Sequence, residues 1–338
     1  MNKTTNDSDG VVYWSTTPAQ TNSPYVKRIV GGLRERQWRV EAFSLQGLAR
    51  TRNQILHVQW PEHVSRGTDR PRTWAKHVRA TMLLGLIRVR KHKVVLTAHN
   101  RAPHAETDAF DAWFRTRVHR LADVTVVLVS DHERELRQAG LVAPGAEVRL
   151  LAHPTIPTLA TPVPSSNADA LVVLGKIHPY HLIEPFLDAL DGAGNERRVV
   201  VVGKVTDEDL ARRLIDRAAR TAWLEVHAGY VEDDELASIY ADAVAIVSLQ
   251  RNPFNSGGPY SALPIGLPVI MSSSAQAEEL SEEFGAEWIY QLPQEITAND
   301  VTGIDSWVEV KRHAPDLSRY AIDAVVDSHI ELYELLRS

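Results

Sequence analysis

The sequence is most informative at Asn252-Pro-Phe-Asn-Ser-Gly-Gly-Pro-Tyr-Ser-Ala-Leu-Pro-Ile-Gly-Leu-Pro-Val-Ile270. The pattern predicts a glycine turn, a short helix, a second glycine turn and a buried strand. A turn that opens a helix exposes backbone N–H groups, and glycine lets an anion approach them closely. We therefore expect Asn255, Ser256, Gly257 and Gly258 to contact a phosphate-bearing ligand, although a purely structural turn has the same pattern.

Length and composition restrict the remaining possibilities. A chain of 338 residues is too long for one ordinary core and favours two domains. It has no cysteine, which excludes disulfides, thiol catalysis and cysteine-type zinc sites. No signal peptide follows the polar first ten residues, and no apolar run of about 20 residues is present. We expect a cytoplasmic protein, peripheral at the inner face of the cell membrane.

Apolar strand-like runs alternate with helical patterns in both halves, which is typical of parallel α/β domains. The runs lie at 11–14, 40–43, 55–58, 94–98, 124–129, 148–151, 170–174, 198–202, 224–227, 243–248, 267–271 and 288–290. The helical patterns lie at 25–36, 107–121, 181–190, 207–220, 233–241 and 275–284. This pattern predicts two Rossmann-like domains that face each other across a cleft.

The domain boundaries follow from composition. We predict a disordered tail at 1–10, an N-terminal Rossmann-like domain at 11–152 and a proline-rich linker at 153–168. A second Rossmann-like domain is expected at 169–315, followed by a C-terminal helix at 316–338. The sequence leaves open whether that helix returns to the N-terminal domain.

Polar residues follow several strands of the first half, where parallel sheets bind ligands. Asn22, in a loop before a helix, is suited to contact a sugar or to cap the helix. Trp60 offers a flat apolar face to a sugar ring. Glu62 is placed to accept a proton from a hydroxyl, although a solvated carboxylate is common at such a position.

Two histidines, His99 and His104, follow the strand predicted at 94–98. No carboxylate or third histidine stands at a ligand-like offset, so we expect no metal there. Hydrogen bonding to sugar or phosphate, or proton transfer, suits these side chains better, and a purely structural role remains open for each.

The second half carries glycine turns after its strands. Lys176 and His181 flank the turn at Gly175, where cations are suited to hold a diphosphate. Another strand ends at residues 203–204, Gly-Lys, and Tyr230 follows the next one. Contacts to a nucleotide are predicted there, although lysines in loops are usually only solvated.

Charge is distributed unevenly. Residues 1–168 hold 24 Lys and Arg against 14 Asp and Glu, whereas residues 169–338 hold 13 against 29. Residues 70–93 contain eight Lys and Arg, no acid and a central apolar run from Met82 to Ile87, with Trp74 near the start. This segment predicts a basic helix that either rests on anionic lipid or packs inward with a solvated basic face. Nucleic acid is not an expected partner, because no stacking platform accompanies the charge.

Together these motifs resemble bacterial glycosyltransferases of the GT-B fold, most closely the GDP-mannose:glycolipid 4-β-D-mannosyltransferase family of xanthan-type exopolysaccharide assembly. The matching segments are Asn22–Tyr25, His57–Glu62, His99–His104, Gly175–Tyr180 and Asn255–Val269, in the same order over most of the chain. His181 departs from the Tyr-Lys-Gly turn of the wider superfamily. Pro253 and Ser261 replace two glutamates of the large retaining families, which favours the inverting assignment.

The resemblance implies transfer of a hexose, with mannose from GDP-mannose as the best candidate, to a polyprenyl-diphosphate-linked oligosaccharide with a β-linked product. The N-terminal domain would bind the acceptor through Asn22, Tyr25 and Trp60. Glu62 would be the general base, with His99 or His104 as alternatives.

The C-terminal domain would bind the nucleotide sugar. Gly203, Lys204 and Tyr230 would contact the nucleotide. Lys176, His181 and the N–H groups of residues 256–258 would stabilise the departing diphosphate. No cofactor or metal is expected. Three other functions remain open: a retaining hexosyltransferase that uses a UDP-sugar and another acceptor, a nucleotide-sugar epimerase, and a non-catalytic sugar-binding protein of two domains.

Overall fold

The computed structural model describes residues 10–21, 23–65, 70–100, 108–156, 165–229, 233–251 and 253–338. The predicted site residues Asn22, His104 and Tyr230 lie outside the described residues, as do residues 1–9 of the tail and 157–164 of the linker. The chain forms two compact units. The first unit combines Met1–Pro154 with Ser318–Ser338, and the second unit is Thr155–Leu317.

The first unit is built on a parallel six-stranded sheet. Its strands are β1 (Val12–Trp14), β2 (Val40–Ala42), β3 (Ile55–Val58), β4 (Lys93–Thr97), β5 (Val124–Val127) and β6 (Glu147–Leu150), in the order β2-β1-β3-β4-β5-β6. Its first helices are α1 (Pro24–Glu35), α2 (Leu45–Arg50), α3 (Pro61–Ser65), α4 (Arg70–Arg90), α5 (Ala109–Leu121) and α6 (His132–Gln138).

Helices cover both faces of this sheet. Successive side chains of a strand point to opposite faces, and β1 illustrates this. Val12 and Trp14 belong to the core that includes α1, whereas Tyr13 belongs to the core that includes α4. The strands are therefore apolar on both sides, as expected for a parallel sheet.

The second unit has the same plan. Its strands are β7 (Ala170–Leu174), β8 (Val199–Val202), β9 (Leu224–His227), β10 (Ala243–Ser248), β11 (Val269–Ser272) and β12 (Ile289–Leu292), in the order β12-β11-β10-β7-β8-β9. Its helices are α7 (Ile183–Gly192), α8 (Glu208–Ala218), α9 (Asp233–Ala241), α10 (Gly258–Ala262), α11 (Ala275–Phe284), α12 (Ala298–Val301) and α13 (Ile304–Val308).

The last helix, α14 (Ile322–Arg337), belongs to the first unit. It packs on α1 so closely that a Cβ atom at Gly32 would lie 2.6 Å from a methyl carbon of Val326. Arg36 of the same contact forms ion pairs of 2.8 Å with Asp323 and with Asp327. Residues far apart in the sequence thus complete one core.

The predicted α/β class, with two parallel sheets and flanking helices, is confirmed. Each of the twelve apolar runs overlaps one strand of the structure. The basic helix predicted at 70–93 ends earlier, at Arg90, because Lys91 takes a left-handed conformation with φ of 56° and Lys93 already opens β4. Among the described residues, no helix combines the length and apolar character needed to cross a bilayer.

Candidate active site

The first sheet has a point at which its strand order reverses. The chain passes from β1 outward to β2, and then from β3 outward in the other direction. Ligands bind at the carboxyl ends of strands beside such a point. Here the N–H of Ser15 donates to the carbonyl of His57 at 2.9 Å, and the N–H of Gln59 donates to the Ser15 hydroxyl at 3.0 Å. The residues after β3 therefore leave the sheet at a suitable place for a ligand site.

Three of the predicted site residues, Trp60, Glu62 and His99, line one pocket of the first unit. Its other lining residues are Gln59, Pro61, Leu96, Thr97, Ala98, Asn100, Arg115 and His119. The Trp60 indole stacks on the His99 imidazole, with ring centroids 4.4 Å apart and 19° between the planes. Glu62 lies half-buried in the first turn of α3. The pocket thus combines a flat apolar surface with a carboxylate.

Gln59 fixes the protonation of the His99 ring. The Gln59 amide nitrogen donates to the Thr97 hydroxyl at 3.4 Å, and its carbonyl oxygen lies 2.6 Å from Nε2 of His99. An amide oxygen only accepts, so Nε2 of His99 carries the proton and Nδ1 does not. Burial, helped by the neighbouring His153, lowers the pKa of His99 to about 3. His99 is therefore neutral at neutral pH and a weak base.

The hydrogen bonds continue from this pocket to the C-terminal helix. His57 contacts the Thr97 hydroxyl through Nε2 at 2.7 Å and the Tyr333 hydroxyl through Nδ1 at 2.5 Å. Burial, with contributions from His329 and His99, lowers the pKa of His57 well below its usual value. A buried chain of polar groups thus joins α14 to the residues that hold His99. The sequence analysis gave no role to Gln59, which lies within the matching segment His57–Glu62, or to Tyr333. The contact from His57 to Tyr333 spans 276 residues.

Tyr25 lies behind this arrangement. Only 3% of its surface is exposed, its ring meets the His99 ring edge-on at 5.0 Å, and His153 lies 5.2 Å away. Burial raises its pKa, so the phenol stays neutral. Tyr25 thus packs against His99 within the core, and its contact with an acceptor stays a prediction.

In the second unit, two glycine turns lie against each other after β7 and β8. The N–H of Gly175 donates to the carbonyl of Val202 at 3.0 Å. Gly203 has φ of 134°, and a Cβ atom there would lie 1.8 Å from the Gly175 oxygen, so only glycine fits. Lys176 and Lys204 stand exposed beside these turns. Two cations are therefore available at the carboxyl ends of neighbouring strands.

The donor loop, a name that we give to residues 255–258 for their predicted role, is held in place by hydrogen bonds within the protein. The N–H of Ser256 donates to the Gln276 side-chain oxygen at 2.8 Å, and the Gln276 nitrogen donates to the carbonyl of Ser256 at 2.9 Å. Gln276 also donates to the Asn255 side chain at 3.3 Å, and the N–H of Gly258 points to the Ser256 hydroxyl at 3.3 Å. The N–H groups of Ser256 and Gly258 thus have partners within the protein, and their contact with a diphosphate stays a prediction.

Two features of this region were not recognised in the sequence. Gln276, on α11, is 1% exposed. Arg251 is exposed, and its N–H donates to the carbonyl of Tyr180 at 2.8 Å, beside the predicted phosphate turn. The Tyr180 ring contacts that of His181 at 4.8 Å. Arg251 follows β10, the strand beside β7, and that position was the signal that could have identified it.

One group of described residues has the geometry to hold a metal ion. His77, Asp108 and Asp111 each offer a ligand atom within 4.8 Å of the others. The Ser65 hydroxyl donates to Asp111 at 2.5 Å, and His77 lies 3.5 Å from Asp108. None of the three lines the pocket that contains Glu62. The expectation that catalysis needs no metal therefore stays a prediction.

Similar proteins place this architecture in a known class. No family model matches the chain. A GDP-mannose:glycolipid 4-beta-D-mannosyltransferase of Xanthomonas campestris pv. campestris is 26% identical over 327 residues, which cover 96% of this chain and 91% of that protein.

Solved structures agree in fold. The HepE protein of Anabaena, in complex with UDP and glucose, matches 96% of this chain and 99% of its own, with a TM-score of 0.68 and 12% identity. A sucrose-phosphate synthase from Thermosynechococcus elongatus matches 97% of this chain and 99% of its own, with a TM-score of 0.66 and 15% identity. Together with the full-length relative, these matches identify the chain as a glycosyltransferase with the GT-B fold.

Proposed function

We propose that this glycosyltransferase moves mannose from GDP-mannose to a hydroxyl of a polyprenyl-diphosphate-linked oligosaccharide in exopolysaccharide biosynthesis, and that the new linkage is β. The observation that carries the proposal is the match over 96% of the chain to a relative that is named for GDP-mannose and a glycolipid acceptor. The pocket with Trp60 and Glu62 supports it, because a sugar acceptor needs an apolar platform and a proton acceptor.

The first unit supplies the acceptor chemistry in this proposal. The acceptor hydroxyl oxygen attacks C1 of mannose, its proton passes to the Glu62 carboxylate, and the bond from C1 to the diphosphate oxygen breaks. Attack on an α-linked donor from the opposite side gives a β-linked product. His99 is poorly suited to be the base, because burial lowers its pKa to about 3 and its Nε2 already donates to Gln59. We therefore assign the role to Glu62, the carboxylate in the same pocket.

The second unit supplies the leaving-group chemistry. Negative charge grows on GDP as the bond breaks, and fixed cations placed there lower the barrier. Lys176 and Arg251 are exposed at the carboxyl ends of the adjacent strands β7 and β10, and His181 lies in the same turn as Tyr180. Gly203 and Lys204 are proposed to contact the nucleotide. Because these cations replace a divalent ion, EDTA should leave turnover unchanged.

The proposal also places the enzyme at the membrane. A polyprenyl acceptor is embedded in lipid, so the enzyme should act as a peripheral protein at the inner face of the cell membrane. The basic segment 70–93 is our candidate for the contact.

A donor panel tests the substrate assignment. Radiolabelled GDP-mannose, GDP-glucose, UDP-glucose and UDP-galactose are each incubated with the enzyme and a bacterial lipid extract. We expect label in the lipid fraction with GDP-mannose, and release of that label by a β-mannosidase. Preferred transfer from a UDP-sugar, or an epimerised free nucleotide sugar as the product, would contradict the proposal.

Two variants test the residue roles. Glu62→Gln should lower kcat by about 10²-fold or more, the usual contribution of a general base. Glu133→Gln is the matched control, since Glu133 is also half-buried near a helix start and lies outside the pocket. Equal turnover in Glu62→Gln and the control would remove Glu62 from the mechanism.

A further inference from the structure

Helix α4 has two apolar sides. One side is formed by Ala80, Leu83, Leu84 and Ile87, which are all at most 6% exposed and belong to the core of the first unit. Most of the apolar run that the sequence offered for lipid contact therefore packs inward. A helix of an ordinary globular protein would present a polar surface on its opposite side.

The opposite side of α4 is apolar as well. Trp74, Val78, Met82 and Val89 are 71%, 37%, 57% and 70% exposed, and we call these four residues the apolar ridge. They follow one another at spacings of four, four and seven residues, which places them on one face of the helix. Single exposed apolar residues are common, but an aligned series on a helix marks an interaction surface.

Aromatic residues extend the ridge onto α5. His77, three residues after Trp74, stacks on Phe110 with centroids 3.9 Å apart. Phe110 in turn lies 5.2 Å from Trp113, which is 41% exposed. Two outward-facing tryptophans on neighbouring helices are typical of proteins that sit at the boundary of lipid headgroups and acyl chains.

Cations stand on both sides of the ridge. On a helical projection Arg88 falls on one side, and Arg79 falls on the other; both side chains are exposed. On α5 the guanidinium of Arg117 lies 5.8 Å from the Trp113 ring centre. Segment 70–93 contains no acidic residue. The surface thus offers an apolar centre with positive margins, which is complementary to anionic lipid.

We propose that the apolar ridge of α4, with Trp113 of α5, inserts into the interfacial layer of an anionic bilayer while Arg79 and Arg88 contact lipid phosphates. The choice of lipid over a second protein rests on this charge pattern and on the proposed lipid-linked acceptor. Neither insertion nor charge alone gives firm anchoring, and the combination of the two does.

Vesicle sedimentation of the full-length protein tests this. Vesicles of phosphatidylcholine alone are compared with vesicles that contain phosphatidylglycerol, at low and at high salt. The wild type should bind the anionic vesicles and release partly in salt. The triple variant Trp74→Ser, Met82→Ser, Val89→Ser should bind about tenfold or more weakly at both salt levels, because it loses the salt-independent part. The double variant Arg79→Gln, Arg88→Gln should lose mainly the part of vesicle binding that high salt weakens.

Matched control variants distinguish loss of the lipid-binding surface from a general effect of substituting exposed residues. Ile215→Ser removes an apolar residue that is 49% exposed on α8, and Arg220→Gln removes an exposed cation of the second unit; both should bind like the wild type. Equal binding by the triple variant and the wild type would overturn the proposal. So would a wild-type dimer that the triple variant converts to a monomer, because the ridge would then cover a second copy.

An activity assay distinguishes failure of the lipid-binding proposal from failure of the proposed function. With a water-soluble acceptor analogue, the triple variant should transfer mannose at the wild-type rate, and only the membrane-embedded acceptor should show a loss. If the wild type binds vesicles through the ridge but transfers no mannose to either acceptor, the lipid surface stands and the proposed function fails.

Discussion

The two units share a sheet architecture but hold their polar residues in different ways. In the first unit, six of the described histidines are buried: His57, His92, His119, His132, His153 and His329. In the second unit, none of the described histidines is buried. Surface ion pairs occur in both units, for example Arg36 with Asp323 in the first and Arg213 with Glu184, both at 2.8 Å, in the second.

The difference matches what each unit is proposed to bind. A neutral acceptor sugar is suited to a pocket of neutral hydrogen-bonding groups and rings, where burial keeps imidazoles uncharged. A diphosphate needs cations that remain charged, so exposed lysine and arginine beside glycine turns suit the donor. The comparison predicts that acid should lower the stability of the first unit more than that of the second. Local backbone changes should lower the stability of the second unit.

The largest effect should come from acid. Burial lowers the pKa of His119, His132, His153 and His329 to about 4. Their unfolded pKa lies near 6.5, so the unfolded state binds more protons below that pH. The stability of the first unit is therefore complete above about pH 6.5 and falls as the pH drops toward 4. Each histidine removes up to about 1.4 kcal/mol per pH unit.

Pulse proteolysis in urea at several pH values, with peptides of each unit quantified by mass spectrometry, measures this. The unfolding midpoint of the first unit should fall between pH 7 and pH 5, and that of the second unit should change much less. Parallel loss in both units would remove the contrast between them.

The next largest effect is expected at the paired glycine turns. Gly203→Ala places a methyl group 1.8 Å from the Gly175 oxygen in a backbone conformation with φ of 134°. It should lower the free energy of unfolding of the second unit by about 3 kcal/mol. Gly229→Ala is the control, because an added Cβ atom there meets no atom within 4 Å. Denaturant unfolding of both variants gives the comparison, and similar losses would mean that the close approach at Gly203 is not required.

A smaller effect should follow loss of the clamp on the donor loop. Gln276→Leu leaves the N–H and carbonyl of Ser256 without their partner and should cost about 2 kcal/mol of stability. The KM for the donor should rise more than kcat falls, because the loop is displaced rather than the reacting groups. Gln291→Leu, which loses only one contact of 3.5 Å to Ala277, is the control. An unchanged donor KM in Gln276→Leu would separate the loop from donor binding.

The smallest effect is expected at the surface ion pairs of the second unit. Arg213→Gln removes the exposed contact with Glu184 and should leave the unfolding midpoint within error of the wild type. A clear loss of stability in thermal unfolding at physiological salt would show that these pairs are more than solvated charges.

Much of the architecture could be predicted because it depends on local patterns of apolar and polar residues in the sequence. Buried parallel strands are short apolar runs, and each run was visible in the sequence. Trp60, Glu62 and His99 could be expected near one another, because the residues after neighbouring parallel strands emerge at one edge of the sheet. Their pocket confirms the proximity, whereas their roles stay predictions.

The remainder depends on contacts that local patterns do not contain. Gln276, on α11, hydrogen-bonds to Ser256, which lies 20 residues earlier in the sequence. Tyr333 contacts His57 over a separation of 276 residues. The apolar ridge was hidden for another reason. Because α4 carries apolar residues on two opposite sides, its sequence shows only a weak amphipathic pattern. The outward-facing apolar residues could be recognised only once the inward-facing ones were known.

The position of α14 sets an order of events during synthesis. A ribosome releases residues 155–317 while the C-terminal helix is still being made, so the second unit can complete its sheet first. The first unit must wait for the final residues before Tyr333 closes over His57. The unit that contains the N-terminal half of this sequence is therefore the one that finishes folding last. Termination between the second unit and α14 would leave the second unit complete and the first unit without the helix that packs on α1.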